Sequence, residues 1–506
     1  MLHVDETCCG LENDEVSDKK QVLRRMTGTE SGGADRLHPR TTIDALPDDV
    51  LLETFEFYLD KVDPNLIGES HDYDGWQTLV HVSRRWRCIV FVSPRRLDLK
   101  LCCTRKRLVN SKTLDIWPAL PIVIYSPRMH SYKGVTSVIS ALRHHNRVCK
   151  IYHYNKEFRD SFLRAFAAID EPFPELTSLK LVSLGQNVPT LPDSFLGGSA
   201  PRLRSLDLCR IPYPSIGRLL SSTSNLVRLS LWQIPRSGYI APETIVPCLS
   251  MLPRLESLLL QFRYPRLRAQ GESRHSPPLT RVVFPNLTVL NFGGNIEYLE
   301  DIVSQIETPV LDEAIFWFFN QLVFDTPLLG HFIRRTEAFM TIHTAQVQFF
   351  RDEIVVTLRR LVETPDDDDV ALYLSISCKP LDWQLSALAQ VLDPFLSSLQ
   401  TVESLEIEEY HEDWQGEMEV IQWRELLHPF SSVKDMTLKH PDSVRLVAPA
   451  LQEFAGERTT EVLPALQNLF FPTNGWRPSG PVMKAIRQFI RARQLSGHPV
   501  TVHYRN

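Results

Sequence analysis

One six-residue phrase, L-x-x-L-x-L, recurs through the middle of this chain and limits what it can fold into more than any other feature. It stands at Leu176–Leu181, Leu203–Leu208, Leu226–Leu231, Leu255–Leu260 and, with phenylalanine in the last place, Leu287–Phe292; the steps between first leucines are 27, 23, 29 and 32 residues. The x-L-x-L part reads as a short strand, because alternate residues of a strand point to opposite faces and the leucines then share one of them. A unit this small cannot bury its apolar side alone, so neighbours must stack. Between the phrases lie stretches with helical spacing, such as Ser215–Leu220 and Leu299–Ile306. Strand and return helix, repeated, predict an α/β solenoid with a parallel sheet along its inner side.

The steps scatter around the period of leucine-rich repeats, roughly 20–29 residues, stretched by inserts. Weaker forms of the phrase begin at Val148, Val402, Val433 and Leu466, so a curved, irregular leucine-rich repeat array is expected over residues 101–506. Between Val310 and Pro380 the phrase dissolves, although Ala371–Ile376 still reads as a strand, and degenerate repeats are expected there. Val500–Tyr504, after Gly497, is expected to be a last strand closing the edge of the sheet. The 35 prolines fall mostly before the strands and in the turns, where they cost no ladder hydrogen bond.

Residues 1–40 are rich in charge, serine and glycine and poor in aromatics, a composition expected to give a disordered tail. Residues 41–100 are expected to form a small helical module. Pro47 suits a helix start, Asp48 and Asp49 favour the positive end of its dipole, and Val50, Leu51, Phe55, Tyr58 and Leu59 make an apolar stripe. A polar stretch from Asp60 to Gly75 reads as a loop. Trp76, Leu79, Val82, Trp86, Ile89 and Val90 then recur at three- and four-residue steps, with a bend near Ser83–Arg85 and an end at Pro94.

Leu46-Pro47-Asp48-Asp49-Val50-Leu51-Leu52-Glu53-Thr54-Phe55, followed by Trp76-Gln77-Thr78-Leu79-Val80-His81-Val82-Ser83-Arg84-Arg85-Trp86-Arg87, resembles an F-box. Three departures stand out: a longer insertion between the blocks, Thr54 where isoleucine is common, and Ser83 in place of a frequent cysteine. The resemblance implies docking to a Skp-family adaptor, and through it to a cullin scaffold, by Leu46, Pro47, Val50, Leu51, Phe55, Leu79, Val82 and Trp86. An F-box followed by irregular leucine-rich repeats is similar in layout to an expanded fungal F-box family. The chain would then be the substrate-recognition subunit of an SCF-type ubiquitin ligase, with an unidentified protein substrate on its repeats. A leucine-rich interaction scaffold without turnover is the alternative, and a hydrolase or transferase is a distant third.

No phosphate-binding glycine loop, GxSxG elbow or HExxH motif occurs, so no catalytic residue, cofactor or metal ligand is expected. The nine cysteines form no CxxC pair and read as reduced, mostly buried thiols. His144-His145 and Tyr152-His153-Tyr154 invite a metal or acid–base reading, but no carboxylate stands at ligand spacing and packing histidines are expected. Asp366–Asp369 lacks the spacing of a calcium loop. No apolar run approaches the roughly 20 residues of a membrane helix and no secretory signal opens the chain, so cytoplasm or nucleus is expected. A formal net charge of −6 argues against a nucleic-acid binder, yet residues 81–110 sum to +8 and residues 363–419 to −14. The acidic segment would steer a basic partner or form solvated loops.

Overall fold

A computed structural model describes residues 43–59, 75–103, 119–127, 138–156, 160–265, 280–321, 323–361, 369–378, 381–410, 420–455, 460–472 and 480–505. The expected tail at 1–40, the loop within 60–74 and Asp366–Asp368 lie outside these residues.

Three helices come first: α1 (Asp48–Leu59), α2 (Gly75–Val82) and α3 (Arg84–Val92). The chain then alternates strands with helices. The strands are β1 (Leu101–Cys103), β2 (Ile122–Pro127), β3 (Val148–Asn155), β4 (Ser178–Ser183), β5 (Ser205–Cys209), β6 (Arg228–Ile234), β7 (Ser257–Phe262), β8 (Val282–Val283), β9 (Val289–Gly294), β10 (Ile306–Glu307), β11 (Glu313–Phe318), β12 (Ile342–Phe349), β13 (Glu353–Arg360), β14 (Val370–Ser377), β15 (Ser404–Glu409), β16 (Asp435–Leu438), β17 (Asn468–Pro472) and β18 (Thr501–Arg505). The return helices are α4 (Ser161–Ala167), α5 (Ile216–Leu220), α6 (Pro242–Ser250), α7 (Ile296–Gln305), α8 (Pro327–Arg335), α9 (Leu381–Leu392), α10 (Leu396–Leu399), α11 (Val420–Leu427), α12 (Pro441–Phe454) and α13 (Gly480–Leu495).

Each phrase makes its strand for the reason its spacing gives. Leu176, Leu203, Leu226, Leu255 and Leu287, the first leucines, are all at most 1% exposed, and the inner leucines of β4 and β5 at most 2%. Backbone bonds tie one phrase to the next at the strand entrance: Thr177 N to Cys149 O, Arg204 N to Thr177 O, Val227 N to Arg204 O, Glu256 N to Val227 O and Thr288 N to Glu256 O, all 2.8–2.9 Å. One apolar core runs without a break from Leu51 to Val500. The chain is therefore a leucine-rich repeat solenoid with a large, mostly parallel sheet. β18 pairs in parallel with β17 and ends that sheet, where Val500–Tyr504 was expected to do so.

The stretch from Val310 to Pro380 departs from expectation. Spatial order across the main sheet is β1-β2-β3-β4-β5-β6-β7-β9-β11-β14-β13-β12-β15-β16-β17-β18, and β13 is antiparallel to both its neighbours. β11 still follows the array as a degenerate repeat, with Leu311 and Phe316 buried and Asp312 N donating to Thr288 O at 2.9 Å, but β12, β13 and β14 form a three-strand meander spliced in after it. The physical reason lies in burial. In β13, Ile354, Val356 and Leu358 face the core, yet Val355 and Thr357 on the opposite face are also buried. A strand whose open-face side chains are also shielded from water needs no strict alternation, so the leucine phrase has nothing to maintain it. A separate two-stranded sheet joins β8 to β10 in parallel.

Candidate functional site

The helical module is assembled by local polar bonds around a small apolar centre. Leu51 N donates to Pro47 O, so Pro47 caps α1 from just outside, one position earlier than expected. Ser83 separates α2 from α3 and caps the latter, its Oγ accepting from Trp86 N at 3.1 Å. That is work a serine does well. Arg87 Nε donates to Val80 O at 3.0 Å and so ties off the end of α2. Arg85 joins the two blocks of the module: its Nη2 donates to Leu46 O and to Asp48 Oδ1, both at 2.6 Å. The Leu46–Val50 start of α1 therefore sits beside the Val82–Trp86 corner.

The eight residues singled out for docking divide by exposure. Leu51 (0%), Phe55 (1%) and Leu79 (7%) lie in the core, and Phe55 packs on the Trp86 ring at 4.7 Å. Leu46 and Trp86 are half-buried against that core. Pro47, Val50 (40%) and Val82 (57%) are exposed, and Ile43, Tyr58 and Val92 add further exposed apolar surface. Trp76 serves a different end: it is buried and its Nε1 donates to Lys100 O at 2.9 Å, just before β1. The module is thus seated on the first strand of the solenoid.

The second surface is the open face of the sheet. Following the ladder register, one row of outward positions begins with Tyr125 and Tyr152, stacked at 4.9 Å, then Lys180 and Asp207, paired at 2.9 Å. It continues through Ser230, Leu259, Asn291, Ile315 and Tyr373, then Thr357, Gln346 and Glu406. In the next row Trp317 stands beside Gly293, with its ring 6.4 Å from Tyr373. A Cβ on Gly293 would meet Gln261 Cγ at 2.4 Å, so only glycine lets Gln261 lie flat there. The middle of the open face is therefore apolar and aromatic: Leu259, Ile315, Trp317 and Tyr373, all half-buried.

Towards β15 and β16 the face turns acidic, but its charge is largely answered. Lys439 Nζ lies 2.7 Å from Glu406 and 2.8 Å from Glu408, and Lys434 pairs with Glu403 at 2.7 Å. Glu408 also accepts from Gln346, Gln348 and Tyr410 OH. Burial alone would raise its carboxyl; the donors from Lys439, Tyr410 and Gln348 outweigh that and hold it down at about 2. The lysines that balance this segment come from the following repeats, beyond the window in which residues 363–419 summed to −14. Glu363, Asp366–Asp368, Glu412, Asp413, Glu417 and Glu419 lie outside the described residues.

Sequence reasoning missed one polar cluster. His153 Nε2 contacts both oxygens of Asp160 at 2.9 and 3.0 Å, its Nδ1 lies 3.2 Å from Ser126 Oγ, and Ser183 Oγ donates to Asp160 at 3.1 Å. Asp160 also caps α4 by accepting from Leu163 N. All four residues are at most 3% exposed, so no substrate reaches them. The cluster joins the ends of β2, β3 and β4. Against the pull of burial, His153, Leu163 N and Ser183 hold the Asp160 carboxyl below its usual range. Its sequence signal was a carboxylate seven residues after the histidine, a spacing that strand followed by helix start can close. Cys102 and Cys103 are buried in β1. Among the described residues no group of three His, Cys, Asp or Glu side chains could hold a metal ion, and no helix is long and apolar enough to cross a membrane.

No protein-family model matches the chain, and neither does any curated protein. Among solved structures it is similar to the leucine-rich repeat-containing protein LegL7 from Legionella pneumophila, at 15% identity over 65% of this chain and 93% of that one, with a TM-score of 0.26. The leucine-rich repeat assignment rests on this chain's own phrases, ladder bonds and core.

Proposed function

We propose that the chain is a substrate receptor: its helical module docks to a Skp-family adaptor of an SCF-type cullin-RING ubiquitin ligase, and the open face of its sheet binds a protein substrate. The observation that carries this reading is the Arg85 clamp, which brings the two F-box-like blocks together. Exposed Pro47, Val50 and Val82 flank the resulting corner. In this reading the chain supplies no catalytic group. It holds a substrate near an activated thioester and so raises effective concentration. The apolar centre of the open face, with Trp317 and Tyr373, has the aromatic character of interface hot spots.

The test is co-expression with a Skp-family adaptor. Val50→Asp combined with Val82→Asp should abolish co-purification and leave the module folded, because both side chains are exposed at its surface. Full retention of the adaptor by a folded double variant would overturn the docking face. Leu51→Asp is the wrong probe, since Leu51 is fully buried and its replacement would unfold the module.

A second reading has its own support. Leu51, Phe55 and Leu79 belong to the same continuous core as the repeats, and Trp76 is bonded to the backbone before β1. The helices would then be a cap on the first strand of an interaction scaffold with no part in ubiquitin transfer. Adaptor co-purification separates the two.

A further inference from the structure

At the ends of β5 and β6 the backbone does something it does at no other two consecutive strands among the described residues. Arg210 and Gln233, neither of them glycine, both adopt left-handed conformations, with φ of 57° and 51°. The register of β6 against β7 slips between Leu231 and Ile234, so Gln233 is bulged out of the ladder. Bulges and left-handed side-chain-bearing residues re-aim side chains, and they collect where a protein binds something. Here they aim an arginine. Arg210 Nε donates to Gln233 Oε1 at 2.5 Å, and its own backbone N–H donates to Trp232 O at 3.1 Å.

Two more arginines stand at the same rim. The guanidinium carbons of Arg263 and Arg236 lie 5.0 and 5.6 Å from the centre of the Tyr264 ring, which is itself 43% exposed. Arg263 N donates to Ile234 O at 3.0 Å, which ties the end of β7 to the bulge. Cys209, the residue before Arg210, is fully buried, and burial pushes its thiol up to about 12. Asp207 is already engaged by Lys180 and by Trp232 Nε1. Among the described residues no carboxylate pairs with Arg210, Arg236 or Arg263. Other exposed cations do find a carboxylate, as Arg85 with Asp48, Arg202 with Glu175 and Lys434 with Glu403.

We propose that this rim is an anion-recognition site, in which Arg210, Arg236 and Arg263 grip a phosphate or a pair of carboxylates on a protein segment lying along the open face. Guanidinium forks match such oxyanions two bonds at a time, and stacking on Tyr264 holds two of the forks in place. The inference rests on the reading that the open face binds protein, and it is independent of the adaptor. A protein segment is favoured over a nucleic acid because the cluster is compact and the chain as a whole carries a net charge of −6, which repels a long polyanion.

The test uses the full-length chain and three degenerate peptide libraries that differ only at the centre: phosphoserine, Glu-Glu or serine. Wild type should bind at least one anionic library about tenfold tighter than the serine library. Arg236→Gln with Arg263→Gln should remove that preference at an unchanged melting temperature. Tyr264→Leu should weaken it, and Arg263→Lys should not substitute for arginine. Whichever anionic library binds tighter identifies phosphate or carboxylate as the source. No preference in wild type, full preference in the double arginine variant, or tighter binding of a single-stranded oligonucleotide than of either library would each overturn the proposal. Trp317→Ala with Tyr373→Ala tests the open face itself. Loss of all peptide binding there, with the anion preference intact in wild type, supports both readings. Unchanged peptide binding there, with preference lost in the arginine variant, keeps the rim site and removes the open face.

Discussion

Glu408 sits in the floor of the open face with donors on both of its oxygens, from Gln346, Gln348, Tyr410 and Lys439. Its folded carboxyl is depressed to about 2 from the usual 4.5, so its contribution to stability is complete above about pH 4.5 and is lost as the pH falls towards 2. Glu408→Gln should flatten the acid limb of a plot of melting temperature against pH. At neutral pH it should cost about 3 kcal/mol, measured by urea unfolding, because Lys439 and Tyr410 lose an anionic acceptor. Asp160 obeys the same sign: its carboxyl is lowered, so protonation on the way down from about pH 4 should weaken the joint between β3 and α4. Asp160→Asn should lower the melting temperature at pH 7 more than at pH 3, where the unfolded carboxyl is already mostly protonated. An equal loss at both pH values would remove the charged state of the carboxylate from the account. Neither residue declares itself in the sequence. Glu408 depends on partners from β12 and from the end of β16, and Asp160 meets His153 only once the chain has turned from strand into helix.

Among the elements, β13 is the most informative, because it breaks the rule that made the others legible. Leucines at recurring steps announced β4, β5, β6, β7 and β9, since one face of each strand is buried and the other is not. Where both faces are buried the alternation vanishes, and with it any means of telling a repeat from a meander. The left-handed turns at Arg210 and Gln233 were equally hidden, since the usual signal for such backbone is glycine or asparagine. Leu358 in β13 is as buried as Leu206 in β5. Truncating either to alanine should cost about 2–5 kcal/mol. Scanning calorimetry should show both variants with one shifted transition. A separate early melting step for Leu358→Ala alone would mean that the meander is a detachable insert.

At the scale of the whole molecule, the unbroken core from Leu51 to Val500 joins the helical module to the repeats. The F-box-like blocks were legible as sequence, but the sequence could not apportion their apolar residues between an internal core and an outer surface. Burial does so: Leu51, Phe55 and Leu79 inward, Pro47, Val50 and Val82 outward. A chain begun after the module, at Leu101, should therefore lose solubility, because the edge of β1 and its apolar flank would be bare. The meander has a further consequence, for the chain as it is made. Phe318 ends β11, whose open edge is completed by β14, and β14 begins at Val370. At a translation speed of about 5–20 residues per second, that edge waits several seconds on the ribosome with its amides unpaired. β12 and β13 emerge in the interval and have no place beside it, so the nascent front half is a template for stray strands until the back half begins to arrive.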